Sequence, residues 1–243
     1  MESLYSIACV FCRLSPITLV APVIFFSHIP LLVRTLLTLT WSVIVAVSLG
    51  EESVLPETFN GFYLISEFFL GVVLSLGFHA ANAALHMAAQ LIDVQMGTSA
   101  GATFDPVNFQ TTSPVGTLFS LVAVATFFGT NLHYEFLFFF SELFRFAPPM
   151  NFYLVDSDFF KSLSAIFVLG FLVASPVIIV LFLVDLTLAL MSRSMPQAQI
   201  YFVALPLKII IGIVVLAMVM SFSGESLYRL LSNAMLMWDY LQK

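Results

Sequence analysis

Residues 60–94 read NGFYLISEFFLGVVLSLGFHAANAALHMAAQLIDV, and apart from His79, His86 and Tyr63 the only titratable side chains in that run are Glu67 and Asp93. About twenty apolar residues in helical conformation cross a hydrocarbon core of roughly 30 Å. A run this long and continuous predicts a helix at membrane level, because the strands of a membrane barrel show as dyads of roughly ten residues. Toward the N-terminus, residues 4–26 and 31–50 make a first apolar pair. It is broken by Pro22, His28 and Pro30 and closed by the acidic stretch Glu51, Glu52, Pro56 and Glu57, which reads as a helical hairpin. Toward the C-terminus, apolar sequence resumes over 115–146 and stops at Pro148 and Pro149. It returns over 157–192, with Pro176 inside, and over 201–222.

The composition agrees with this reading. Of 243 residues, 60% are hydrophobic and 9% charged, and the mean hydropathy is +1.05; an ordinary soluble domain carries about 25% charged residues. A soluble globular domain is excluded. Eight Lys and Arg against fourteen Asp and Glu give a formal charge of -6, which leaves no basic surface to neutralise phosphates. No nucleic-acid partner is expected; membrane lipid is. Glu2 is the only early charge, so the start lacks the pattern of a signal peptide and reads as mature sequence. Cys9 and Cys12 have no second pair for a zinc site and no strand-helix context for a redox motif, and read as small buried apolar residues.

The predicted fold class is all-α, built of hydrophobic membrane-level helical hairpins with about six apolar segments and an amphipathic C-terminal helix. The chain reads as one domain, 1–243. Within it, 1–58 is the N-terminal hairpin, 59–147 holds long helices around a loop at 97–114, 148–222 is a second hairpin and 223–243 is the terminal helix. In that last stretch Leu227, Leu230, Leu231, Ala234, Trp238 and Leu241 recur at helical spacing. The eight basic residues are spread so thinly that the positive-inside rule sets no orientation.

Three groups of residues stand out as candidate sites. His79, Asn82, His86, Gln90 and Asp93 fall on one face of the third segment. The two histidines, seven apart, lie about 10 Å apart along a helix axis and cannot share a metal. The seam reads first as interhelical hydrogen bonding beside a row of alanines, and second as a proton relay. Asp185 stands between uncharged stretches and needs a cation, for which Arg193 and Lys208 are at hand; the three read as a structural ion pair, with a transported-ion site as the alternative. Glu67 and Glu135 lie nearer segment ends and are expected to be less buried. The stretch Phe104, Asp105, Pro106, Val107, Asn108, Phe109 to Ser113-Pro114 combines turn chemistry with two aromatics. It is a candidate constriction or plug, since irregular backbone at membrane depth survives only inside protein or beside a water-filled cavity; its alternative is an ordinary turn outside the membrane. There is no Gly-rich phosphate loop, His-Glu-x-x-His helix or nucleophile elbow. The chain is not expected to be an enzyme or to carry a cofactor or metal.

Four pieces of the chain, in order and spacing, resemble the FliR export-gate family of the flagellar type III secretion apparatus and its injectisome counterparts. They are Ala21-Pro22-Val23 with Pro30 and Arg34; Gln95-Met96-Gly97 leading to Phe104-Asp105-Pro106 and Ser113-Pro114; Asn131-Leu132-His133; and Leu183-Val184-Asp185 through Ser192-Arg193 and Pro196-Gln197 to Leu205-Pro206-Leu207-Lys208. The resemblance covers about residues 15–222. It implies an all-helical gate subunit in the bacterial inner membrane, at the flagellar basal body, assembled with FliP and FliQ and contacted by FlhB. Unfolded axial flagellar proteins would leave the cytoplasm through that gate. It also implies a pore plug in the loop after Gln-Met-Gly, here 97–113, with Phe104 the nearest aromatic because Ala100 and Thr103 stand where relatives carry bulkier rings. Gln199 replaces the usual Asn after Pro-Gln. An injectisome homologue, or a stand-alone ion-coupled secondary transporter using Asp185 and the His79–Asp93 seam, are the alternative readings.

Overall fold

A computed structural model describes residues 2–20, 29–48, 61–101, 103–105, 110–138, 157–194 and 200–236. Eight helices are seen among them: α1 (Glu2–Ser15, continued by a π turn at Pro16–Val20), α2 (Leu31–Ser48), α3 (Gly61–Met96), α4 (Pro114–Gly129), α5 (Leu132–Phe138), α6 (Ser157–Ser194), α7 (Ile200–Phe222) and α8 (Gly224–Leu236). Between α3 and α4, β1 (Thr103–Asp105) pairs antiparallel with β2 (Gln110–Thr112), and Phe104 faces Thr111 in register. The chain is all-α apart from this short hairpin, as the sequence predicts.

The count of membrane-length helices is lower than the six apolar segments expected. Four helices, α2, α3, α6 and α7, are long and apolar enough to cross a membrane, or five if α4 and α5 are one bent span. Two local causes account for the difference. The apolar part of the first segment is a short helix, Leu4–Leu19. The expected run 115–146 is bent by 71° between α4 and α5, where Asn131 takes φ +62° after Gly129. Asn reaches the left-handed region more readily than most residues, and Gly lowers the cost of leaving the helix. Residues 139–146 lie outside the described part. By contrast α3, with 36 residues, and α6, with 38, extend about 54 and 57 Å at 1.5 Å per residue, well beyond a hydrocarbon core. Pro176 and Pro206 sit inside α6 and α7, as prolines do in helices whose neighbours re-satisfy the backbone.

Packing divides the chain into two compact units that each gather distant stretches. The first holds Met1–Asn82, Phe127–Ser164 and Leu231–Lys243; the second holds Ala83–Thr126 and Ala165–Leu230.

In the first unit α1 lies against α3 so closely that a Cβ built at Gly71 would stand 2.2 Å from the Arg13 carbonyl oxygen. Only glycine allows that approach. Phe136 forms edge-to-face pairs with Trp41, Phe78 and Phe127 at centroid distances of 6.0, 5.4 and 6.0 Å, a favourable aromatic arrangement. The first turn of α2 bonds back to Pro30, whose carbonyl accepts from the Val33 and Arg34 amides at 3.0 and 3.1 Å.

Helix α2 inverts the usual order of burial. Its inward face carries Arg34, Thr38 and Ser42, four residues apart, together with Val45, while Leu32, Leu36, Leu39, Ile44 and Val47 are exposed. The buried polar groups are satisfied locally. Thr38 donates to the Arg34 carbonyl, Ser42 to the Thr38 carbonyl, Arg34 to the Ile29 carbonyl, and Thr18 and Thr38 share a bond of 2.8 Å. A helix that turns its hydroxyls inward and its leucines outward is stable only where the surroundings are apolar.

In the second unit the helices also meet over small residues. A Cβ at Gly170 would lie 2.8 Å from the Ala84 Cβ and 3.0 Å from its carbonyl oxygen, and one at Gly212 would lie 2.7 Å from the Met96 Cγ. Ala84, Ala88, Ala89, Ile92 and Met96 make the buried face of α3 here. Helix α8 is amphipathic as expected: Leu227 and Leu230 are buried, and Glu225 and Arg229 form an exposed i,i+4 pair at 2.6 Å. Trp238 and Leu241 lie outside the described residues.

Candidate functional site: the turn after α3 and two ion pairs

The end of α3 is fixed by three neighbouring features. Gly97 takes φ +78°, the left-handed conformation that closes many helices and that glycine adopts at no steric cost. Asp93, one turn back and 1% exposed, accepts a hydrogen bond on Oδ1 from the Thr98 hydroxyl at 2.6 Å. The Asp93 carbonyl lies 3.3 Å from the same hydroxyl. The chain then passes a short 3₁₀ turn, Thr98–Gly101, into β1.

The return of the chain into α4 is capped with equal economy. Ser113 is buried, its Oγ accepts from the Gly116 amide at 3.0 Å, and its carbonyl accepts from the Thr117 amide at 2.9 Å. Pro114 follows at the first helical position, where its missing N–H costs nothing. Glycine at 116 leaves room for the cap, since a Cβ there would stand 2.9 Å from Ser113 Oγ, while α3 lies at ordinary contact distance, 3.8 Å from His86 Nδ1. The loop is thus tied at both roots. Of the candidate plug residues, Phe104 and Asp105 have their backbone in β1, and Pro106 and Phe109 lie outside the described residues.

The polar seam occupies α3, where its five members fall within about 80° of one another at 3.6 residues per turn. Their surroundings differ. Asp93 is buried, His79, Asn82 and His86 are half-buried, and Gln90 is exposed. The groups share a face without converging on one point.

Two ion pairs join distant stretches. In the second unit Lys208 Nζ on α7 meets Asp185 Oδ1 on α6 at 2.7 Å, with the side chains 18% and 40% exposed. Asp185 is thus less enclosed by this chain than its apolar flanks imply. Arg193, named with them from the sequence, is exposed and has no carboxylate partner among the described residues. Eight residues past Asp185, it stands about 12 Å farther along the axis.

The pair in the first unit was missed by sequence reasoning and corrects it. Arg13 Nε on α1 donates to Glu67 Oε2 on α3 at 2.5 Å, and both side chains are fully enclosed. Glu67 was expected to be less buried because it lies near the start of its segment; Gly71 draws α1 over that end and encloses it. Glu135, by contrast, is exposed. The one available signal was Arg13, a charge in the middle of an apolar run.

Comparison with known proteins adds the family. The sequence pattern described as "Bacterial export proteins, family 1" matches residues 4–234. The chain belongs to this family. Among curated members, the flagellar biosynthetic protein FliR of Bacillus subtilis (strain 168) is 32% identical over 162 residues, covering 64% of this chain and 62% of that protein. FliR of Caulobacter vibrioides is 27% identical over 228 residues, 89% of each. The secretion system apparatus protein SsaT of Salmonella typhimurium is 33% identical over 154 residues, 61% of this chain and 59% of its own length. The chain therefore spans about three fifths of the first of these export-family relatives and nearly all of the second.

Proposed function

We propose that the chain is a structural and gating subunit of the flagellar type III protein export channel in the bacterial inner membrane. In this reading it assembles with FliP and FliQ, is contacted by FlhB, and helps to pass unfolded axial flagellar proteins. The observation that carries the reading is the family match over residues 4–234. The flagellar assignment is favoured over the injectisome one by the 89% coverage of a flagellar relative, against 59% for SsaT.

The physical features support a subunit rather than a machine complete in itself. Helix α2 presents leucines outward, and α7 leaves Phe202, Ile210, Met218 and Phe222 exposed, surfaces that lipid or neighbouring hydrophobic chains must cover. The mechanism proposed is mechanical. Helices assemble a closed path, and the loop between α3 and α4, with Phe104 in β1, seals it until substrate arrives. Asp185 is treated as part of the scaffold, its charge already neutralised by Lys208 at 2.7 Å. That neutralisation disfavours a stand-alone transporter, which would need Asp185 free to take an ion.

Purification of the tagged chain in mild detergent from its native host, followed by native mass spectrometry, tests the reading. One copy bound to several copies of two other small hydrophobic chains is the expected result. A stable monomer or homo-oligomer that moves solute by itself in liposomes would overturn it.

A further inference from the structure

We propose that the Asp93–Thr98 hydrogen bond is a latch that sets the path of the chain leaving α3, so that Gly97 is a pivot held in one position by a side-chain contact. The inference deepens the sealing role proposed for the loop and rests on that reading. Gly97 at φ +78° supplies backbone freedom, because glycine has no Cβ penalty on either side of φ zero. A freely moving pivot would leave the loop undirected. The Thr98 hydroxyl, bound to Asp93 Oδ1 at 2.6 Å, removes that freedom from the side of α3. At the other root the Ser113 cap, bonded to the Gly116 and Thr117 amides, holds the start of α4. One end is therefore capped within a helix, and the other is held across a glycine, chiefly by the short bond to Asp93 Oδ1.

The carboxylate is also more than a cap requires. Asp93 is 1% exposed, and its Oδ2 has no hydrogen-bond partner among the described residues. A buried acceptor left without a donor is costly. A threonine or serine would offer an oxygen without that second buried acceptor, its own hydroxyl proton being able to bond the carbonyl one turn back. The second oxygen, beside the first, gives the Thr98 hydroxyl an alternative acceptor as the pivot turns, so the latch can slip before it breaks.

The test is ion conductance of the assembled gate in a planar bilayer, with potassium chloride as the permeating salt. Loss of a hydrogen bond to a charged acceptor shifts an equilibrium by about one to two orders of magnitude. Thr98→Val is therefore expected to raise the leak about ten- to a hundred-fold. Thr98→Ser, which keeps the hydroxyl, should stay near the native leak, and so should Asp93→Asn, whose amide oxygen still accepts. Phe104→Ala reports on the sealing role itself. A leak in Phe104→Ala with a tight Thr98→Val gate would overturn the latch and leave the seal standing. Tight gates in both variants would overturn the seal and the latch with it. Failure of Thr98→Val to assemble while Thr98→Ser assembles would also count against the latch, since a contact that only directs the loop leaves helix packing intact.

Discussion

Replacing Glu67 by Leu probes the most demanding contact in the fold. Both members of the Arg13–Glu67 pair are fully enclosed, so the substitution leaves a guanidinium in an apolar site with its carboxylate gone. Breaking a buried pair from one side costs about 3–5 kcal/mol, or roughly two to four orders of magnitude in the folded-to-unfolded ratio. For a chain of this size 1 kcal/mol moves a melting temperature by about 2–4 °C, which gives a fall of about 6–20 °C. The assay is thermal unfolding of the purified chain in mild detergent, followed by tryptophan fluorescence in a Trp238→Phe background, so that the signal is that of Trp41, which packs on Phe136 in the same unit. The double variant Arg13→Leu with Glu67→Leu should recover most of the loss, because removing both charges of a buried pair is near neutral or stabilising. A single variant within about 3 °C of the native protein would refute the reasoning, as would a double variant no better than the single.

Three further outcomes follow from neighbouring geometry. Asp185→Ala should cost clearly less than Glu67→Leu in the same melting experiment, about 1 kcal/mol or less, because the Asp185 side chain is 40% exposed; an equal cost would refute that ranking by exposure. Gly170→Ala should destabilise by about 1–3 kcal/mol, since the new methyl meets the Ala84 backbone at 3.0 Å, and native stability would mean that α6 can shift on α3. Cys9 is fully buried and Cys12 half-buried on α1. Maleimide labelling of the native protein in mild detergent should therefore be slow, and should speed up when the chain is unfolded. Fast labelling at neutral pH would mean that α1 opens.

Long uncharged runs made the helices legible in the sequence, because no other element satisfies its backbone over that length in an apolar medium. The Pro and Gly signals likewise located Gly97 and the Ser113-Pro114 entry. What the sequence hid was pairing across distance. Arg13 and Glu67 stand 54 residues apart, and nothing local marks them as neighbours; burial was judged from position along a segment, whereas Gly71 decides it. Asp185 presented two cations, Arg193 eight residues on and Lys208 twenty-three, and helix geometry selects the one farther away in sequence. The bend at Asn131 was masked by the apolar sequence on both sides, and the five-residue seam, although it shares one face, spans exposed to fully buried surroundings that periodicity does not report.

The separation of Arg13 from Glu67 also imposes an order in time. Synthesis at about 5–20 residues per second puts Glu67 some 3–11 s behind Arg13, since the two stand 54 residues apart. During that interval the Glu67 carboxylate has not yet been made, and carrying the Arg13 guanidinium into lipid costs about 2.5–3.5 kcal/mol on insertion scales. Arg13 is therefore expected to keep α1 out of the hydrocarbon until α3 has been made. A nascent chain stopped before residue 67 should leave α1 extractable by alkaline carbonate, and one stopped after α3 has emerged should hold it in the bilayer.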